Sequence, residues 1–279
     1  MVVAQLVDRA VIRIVGPDAV TFLQNVLTLD VAGVDRHGSG YGALLSPQGK
    51  ILWDFVLHKT ADAYGADLRS DQAEAFAKRL ALYKLRAKVE IAAAPDLAVF
   101  ASWPERGDAP ADPRLAALGS RWLAPAGSVA TNSPAGDWHV HRIALGIPEG
   151  GVDFVFGDTF AHDAAMDSLN GIAFDKGCYI GQEVVSRMRH RGTARRRIVT
   201  VARNGDMPAP GADIFAGERV VGRLGSSAQG RGIGLVRLDR VREALDSGIE
   251  LRAGETAVSV DLPAWATYRW PATATTGDD

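Results

Sequence analysis

An α+β chain of more than one domain is what this sequence predicts, and three features predict it. Residues 17–28 and 71–88 carry apolar side chains at helical spacing. The stretch 104–137 is broken repeatedly by Pro, Ala, Gly and Asp. Beyond Arg197 the pattern changes to short period-two runs between glycine-rich turns, which reads as a small all-β C-terminal domain.

Taken in order, AVIRIV (10–15) reads as a short buried strand. In the helix that follows, Gly16 sits at the cap and Pro17 at the first helical position, with Val20, Leu23 and Leu27 on one face. YGALLSPQGKILWDFVLHK places a Ser46-Pro47-Gln48-Gly49 turn between two apolar runs and reads as a hairpin. Its second strand carries Trp53 and Asp54, which face opposite sides, so one of them at most points into any pocket. DQAEAFAKRLALYKLRAK (71–88) opens with Asp71 and Glu74 and continues with Phe76, Leu80 and Tyr83 on one face, a second amphipathic helix. VEIAAAPDLAVFASW then reads as strand, turn and strand. Within 104–137 only DPRLAALGSRW looks ordered, and WHVHRIALGIPEGGVDF resumes as an alternating strand. Gly230, Gly232 and Gly234 read as turn glycines, since a strand follows and the spacing is not a dinucleotide fingerprint.

With 47% hydrophobic and 23% charged residues the composition is that of an ordinary globular protein, and the net charge of −2 argues against bulk adsorption to nucleic acid or membrane. No apolar run approaches a membrane-spanning length, and the N-terminus lacks a basic start or a cleavage pattern. A cytoplasmic location is the resulting expectation. A single cysteine forms no intramolecular disulfide, which suits a reducing compartment, and cannot hold an iron–sulfur cluster or a cysteine-rich zinc site without ligands from elsewhere.

That cysteine, Cys178, stands in FDKGCYIGQEVVSRMRHRGTARRR (174–197), just ahead of a helix with Val184, Val185 and Met188 as its apolar stripe. The helix N-terminus and nearby Lys176 favour a thiolate there, while Glu183 in the first turn either steadies the helix end or opposes that thiolate. The plain alternative is a small buried hydrophobe. A Cys-His-acid nucleophile built with His139, His141, His162 or His190 lacks any local signature. A metal site on His139 and His141 would need two further ligands. The run Arg187, Arg189, Arg191, Arg195, Arg196 and Arg197 is either a solvated helix end or an anion site for carboxylate or phosphate. Without an interleaved aromatic platform it makes a poor case for direct nucleic-acid binding.

The run Lys176-Gly177-Cys178-Tyr179-Ile180-Gly181-Gln182-Glu183 resembles the K-G-C-Y-x-G-Q-E signature of the YgfZ-type folate-binding proteins. These are relatives of the glycine cleavage T-protein (aminomethyltransferase), and they include a mitochondrial iron–sulfur assembly factor. GPDAVTFLQNVLTLDV, LLSPQGKILWDF, DPRLAALGSR, RIALGIPEGGVDF and DLPAWA follow the family's order, so the resemblance spans nearly the whole chain.

The resemblance implies a three-domain T-protein-like fold around a central folate-sized hole. Residues 1–46 and 138–192 would form a discontinuous first domain carrying the signature, 47–137 a ferredoxin-like middle domain, and 193–279 a C-terminal β-barrel. It implies a folate-binding accessory protein for assembly or maintenance of iron–sulfur clusters in client enzymes, tRNA-modifying ones included, working through Cys178. Tetrahydrofolate or a derivative is the expected cofactor, and a cluster shared with an assembly or client protein the expected cargo. Lys176, Tyr179, Gln182, Glu183, Trp53, Arg187 and Arg191 are the candidates for binding folate, with no resident metal expected. The alternative is a tetrahydrofolate-dependent one-carbon transferase with Asp54 as its polar group. Against that alternative, Trp53-Asp54 stands where aminomethyltransferases have two aspartates, and Ala144 stands in RIALG where they have a pterin-binding glutamate. FAHDAAMD likewise has Ala161 and Asp163 around His162 in place of the closer family's proline and glutamate.

Overall fold

The computed structural model describes residues 1–105, 108–192 and 194–272; residues 193 and 273–279, the expected limits of the last domain, lie outside these. Three antiparallel sheets organise the chain. The first half contributes β1 (Val2–Gln5), β2 (Arg9–Val15), α1 (Ala19–Val26), α2 (Val31–His37), β3 (Ser39–Leu45), β4 (Ile51–Lys59), β5 (Tyr64–Arg69), α3 (Ala73–Tyr83), β6 (Glu90–Ala93), β7 (Leu97–Trp103) and β8 (Ser120–Pro125). The second half contributes α4 (Ala135–Ala144), α5 (Gln182–Arg191), β9 (Arg196–Ala202), β10 (Asp213–Ala216), β11 (Arg219–Ala228), β12 (Arg231–Arg237), α6 (Leu238–Asp246), β13 (Leu251–Ala253), β14 (Thr256–Ala257) and β15 (Ser259–Asp261).

The five-stranded sheet runs β3-β4-β5-β2-β6 and is covered by α1, α2 and α3. Ile12, Ile14, Phe22, Leu23, Leu44, Phe55, Tyr64, Phe76 and Leu80 fill that interface, and burial of side chains this large stabilises by about 1.5–3 kcal/mol each. The second sheet, β1-β7-β8, shares a core with Trp138, Phe154, Met166, Leu169 and Tyr179. The third runs β14-β13-β10-β11-β12-β9-β15. Its two edge strands are separated in sequence by Val258 alone, so the sheet must curl until its edges nearly meet: a near-closed barrel.

Several expectations from the sequence are corrected. The first helix begins at Ala19 with Asp18 as its N-cap, two residues later than Gly16-Pro17 suggested. The stretch beginning WHVHRIA is the helix α4, not a strand: Trp138, Arg142 and Ile143 form its buried stripe, and the alternation of His139 and His141 merely flanks it. The C-terminal unit is not all β, because LDRVREALD forms α6 with Leu238, Val241 and Ala244 buried at helical spacing. β6 and β7, read as one strand-turn-strand unit, enter different sheets, β6 at the edge beside β2 and β7 between β1 and β8. The division at 46/47 falls inside the β3–β4 hairpin, whose strands pair from Ser39↔His58 to Leu45↔Ile51. β2 pairs with β5 and β6, so strands expected in separate domains share one sheet. Composition reports local breaks in the chain, and these long-range pairings leave no local trace.

Candidate functional site

The signature loop is fastened on every side of its cysteine. Thr28, fully buried between α1 and α2, accepts a hydrogen bond from Ala43 N at 2.8 Å and donates to Gly171 O at 2.7 Å, while Ala173 N donates to Thr28 O at 2.8 Å. Lys176 Nζ donates to Leu27 O at 2.8 Å and to Leu29 O at 2.7 Å, pinning the loop to the same corner. Burial pushes that ammonium down to about 8. Tyr179 is buried in the core shared with the second sheet, its hydroxyl pushed up to about 12 by burial, and Ile180 packs into the helix-covered core of the first. Phe174 lies between Arg189, whose guanidinium sits 3.9 Å from the ring centroid, and His162 at 6.2 Å. Between these anchors Gly177 and Cys178 are exposed.

Why glycine precedes α5 is steric. Gly181 is the N-cap, at φ +81°, and a β-carbon there would lie 2.6 Å from Ser46 O and 3.0 Å from Leu45 Cβ. The helix start is therefore docked against the hairpin turn at Ser46–Gly49, and Val184 closes the other side over Gly49. Gln182 opens the helix and Glu183 pairs with Arg187 at 2.5 Å on its exposed face, an i,i+4 pair worth only a few tenths of a kcal/mol, roughly 0.3–0.5. Arg191 is exposed in the last turn.

Two clefts flank the loop. The larger, of ≈ 700 Å³, lies between α2, the 108–116 segment and Asn170–Ala173, with Leu29, Val34, Tyr41 and Asp112 among its walls. The smaller, of ≈ 540 Å³, is bounded by Gln24, Asp30, Phe174, Lys176 and Arg189. Lys176 lines the smaller cleft with its Nζ held by Leu27 O and Leu29 O, and none of the residues expected to bind folate lines the larger one. Trp53 faces away, edge-on to Phe76 at 5.9 Å, because alternation along β4 gives it the opposite face from Asp54. Tyr179 is core, and Glu183 and Arg187 bond to one another.

Behind Tyr41 lies a buried polar network that the sequence did not announce. The Tyr41 hydroxyl donates to Asp54 Oδ2 at 3.0 Å. Burial, reinforced by the charge of Glu149 and opposed by Arg9, pushes the Asp54 carboxyl above the usual carboxylate range. Arg9 donates to Asp67 Oδ1 at 2.7 Å and to Glu149 Oε1 at 2.8 Å, and Arg121 donates to both oxygens of Asp67 at 2.6 and 3.0 Å. Burial alone would raise Asp67, but Arg121 and Arg9 hold it well below its ordinary value. Glu149 is the buried carboxylate of the RIALGIPEGG segment, whereas Ala144 is exposed at the end of α4. Charged residues this buried, spaced along the chain from 9 to 149, offered no motif.

Asp8, His139 and Glu149 bring ligand atoms within 4.8 Å of one another. The cluster is already neutralised: Arg142 Nε donates to His139 Nδ1 at 3.1 Å, and both Arg142 and Arg9 pair with Glu149, so a cation there would meet two guanidinium groups. His141 lies elsewhere, stacked on Trp103 with Nε2 at 3.1 Å from Ala117 O, so the two histidines do not share a site. Among the described residues no hydrogen bond joins Cys178 to a histidine.

Comparison with known proteins fits this architecture. The human protein named iron-sulfur cluster assembly factor IBA57, mitochondrial, is 31% identical over 96% of this chain and 85% of its own length. The chain belongs to the IBA57 family. The mouse member is 29% identical over 97% of this chain and 86% of its own. Residues 195–268 match the family model for the CAF17 C-terminal β-barrel domain, in agreement with the curled sheet. Among solved structures, the glycine cleavage system aminomethyltransferase T from Bartonella henselae superposes with a TM-score of 0.72, covering 96% of this chain and 87% of that one. At 18% identity this shows the T-protein-like fold. The cytoplasmic expectation is overturned, because the relatives are named as mitochondrial proteins. A lone thiol and the lack of a long apolar run describe redox conditions and hydropathy, and neither specifies a compartment.

Proposed function

We propose that this protein is an iron–sulfur cluster assembly factor in which Cys178 gives one thiolate to a cluster in transit, the remaining ligands coming from a partner assembly or client protein. The observation that carries the reading is the contrast within one loop: Thr28, Lys176, Tyr179 and Gly181 fix the backbone on both sides, and Cys178 alone offers a reactive group to solvent. A single thiolate completes a cluster's ligand set only when others are brought to it, so a rigid exposed thiol suits transfer better than storage. Membership of the IBA57 family supports the same role, and the signature's resemblance extends the clients to enzymes that modify tRNA.

Tetrahydrofolate or a derivative is proposed to occupy the larger cleft. Its ≈ 700 Å³ falls within the range of small-molecule sites, Leu29, Val34, Tyr41 and Ile172 give it apolar walls, and Asp30, His37, Ser39 and Asn170 supply polar groups for a flat heterocycle with amino donors. When bound, the reduced pterin would supply a carrier for a one-carbon unit. Tyr41, through its hydrogen bond to Asp54, would link that cleft to the buried network. The rival reading, a one-carbon transferase, draws on Asp54, whose raised pKa is what a proton-handling group in a closed site requires.

The test of the leading reading is reconstitution of a client enzyme's cluster from ferrous iron, sulfide and a thiol reductant. Cys178→Ser should fold normally and fail to support client activity, and normal support by that variant would refute the thiolate role. Titration with tetrahydrofolate, followed by tryptophan fluorescence and thermal stability, should respond in the parent and weaken in Tyr41→Ala. Turnover of a one-carbon donor that is lost in Asp54→Asn would favour the rival.

A further inference from the structure

The two most exposed large apolar side chains in the folded body, apart from Val7, are neighbours at one place, the end of α3. Leu82 is 70% and Leu85 89% exposed, while the opposite face of the same helix buries Ala73, Phe76 and Leu80. Leu82 stands in the last turn of the helix, on the side of Lys78 and Arg79, and Leu85 follows in the turn just beyond its C-cap, Lys84. Leu85 has φ +45°, the left-handed region that leucine normally avoids and glycine enters freely.

The tip is not a frayed end. Ala87 N donates to Lys84 O at 2.8 Å, Val89 N to Ala87 O at 2.9 Å, and Lys88 N to Asp18 Oδ2 at 2.7 Å, while Tyr83 and Ala87 pack against the core that also receives Ile180 of the signature. A fixed backbone therefore holds Leu85 out in water. Around it the charge has one sign: from residue 75 to 89 the chain carries Lys78, Arg79, Lys84, Arg86 and Lys88 and no acid. Lys78 is paired with Glu74, but among the described residues none of the other four has a carboxylate within salt-bridge distance. Glu74 and Glu90 bound this run, Glu74 being paired with Lys78, and Asp18 at the start of α1 is engaged by the Lys88 amide.

We propose that the α3 tip is a docking knob for a protein partner that offers an apolar hollow with an acidic rim, the two leucines entering the hollow and Arg79, Lys84, Arg86 and Lys88 meeting the rim. A protein is favoured over a bilayer because the knob is two side chains wide and fixed in shape, which suits a complementary pocket, and a lipid surface rewards a broader apolar face. No residue of the tip belongs to the signature 176–183, so the contact does not depend on the cluster-transfer reading.

The experiment places the photo-reactive residue p-benzoylphenylalanine at position 85 of the full chain in cells, with a matched control at Ile249 on the barrel. The expected result is a discrete cross-link to another protein from position 85 and none from 249, unchanged by Cys178→Ser. That protein, purified, should bind the parent chain with an affinity that falls with salt and drops at least about tenfold in Leu85→Asp and in Arg86→Glu/Lys88→Glu. Leu85→Asp should keep the parent's melting temperature, since the side chain is in water already. Four outcomes each overturn the proposal: no cross-link from position 85, a cross-link to a second copy of this chain, affinity indifferent to the variants, or Leu85-dependent sedimentation with vesicles containing anionic phospholipid and no protein cross-link.

Discussion

Three glycines of the signature region separate two costs that are usually entangled, backbone strain and steric overlap. Gly177 has ordinary φ and open space where a β-carbon would go. Gly192 has φ +59° and equally open space. Gly181 combines φ +81° with a β-carbon position 2.6 Å from Ser46 O, 3.0 Å from Leu45 Cβ and 3.2 Å from Gly49 Cα. Alanine at 177 should fall within about 0.5 kcal/mol of the parent, as ordinary surface changes do. At 192 the left-handed backbone alone should cost about 1 kcal/mol. At 181 the same strain adds to an overlap with backbone atoms that cannot swing aside, and overpacking of this kind costs about 1–3 kcal/mol, so the total should reach about 2–4 kcal/mol. Equilibrium urea unfolding followed by tryptophan fluorescence measures all three. The helix start must lift off the hairpin turn to admit the methyl group, so Gly181→Ala should also speed the reaction of Cys178 with a disulfide reagent. Equal costs at 181 and 192, or unchanged thiol reactivity at 181, would refute the docking of α5 on the Ser46–Gly49 turn as the origin of the loop's geometry.

Asp67→Asn should destabilise by about 3–5 kcal/mol, because it leaves Arg9 and Arg121 buried without their shared carboxylate; thermal unfolding of the variant would show it. Asp54→Asn should stabilise the protein at neutral pH. With a folded pKa above the unfolded value, Asp54 weakens the parent as pH rises from about 4 through the folded pKa, a component the variant lacks, and urea midpoints across that window test the sign. The advantage of the parent over Lys176→Met should grow between pH 8 and about 10.5, since the folded pKa of about 8 lies below that of the unfolded chain and the unfolded state binds more protons in between. A difference that stays flat would mean that the Lys176 ammonium is not buried against Leu27 O and Leu29 O.

How much was legible varied with the range of the interaction. α3 could be read because Phe76 and Leu80 repeat within a single helix, and the β3–β4 hairpin because its turn residues are adjacent. α4 was misread because His139 and His141 imitate a strand's alternation while the stripe that mattered, Trp138, Arg142 and Ile143, faces a core assembled from distant segments. Cys178 could be located by its signature, but Glu149 and Asp67 could not, since a buried carboxylate has no sequence mark until its arginine partners are in place around it.

The sequence by itself determined the helices of local periodicity, the β-rich C-terminal third, the lone thiol with the glycines around it, and the family likeness. Only the tertiary structure decided that β2 joins the sheet of β5 and β6, that Trp53 belongs to the core while Asp54 meets Tyr41, and that Lys176 anchors the loop that leaves Cys178 exposed. The physical reason is the same in each case. Periodicity and turn chemistry act between residues a few positions apart, whereas pairing, burial and charge compensation act between surfaces that meet only when the chain has closed on itself.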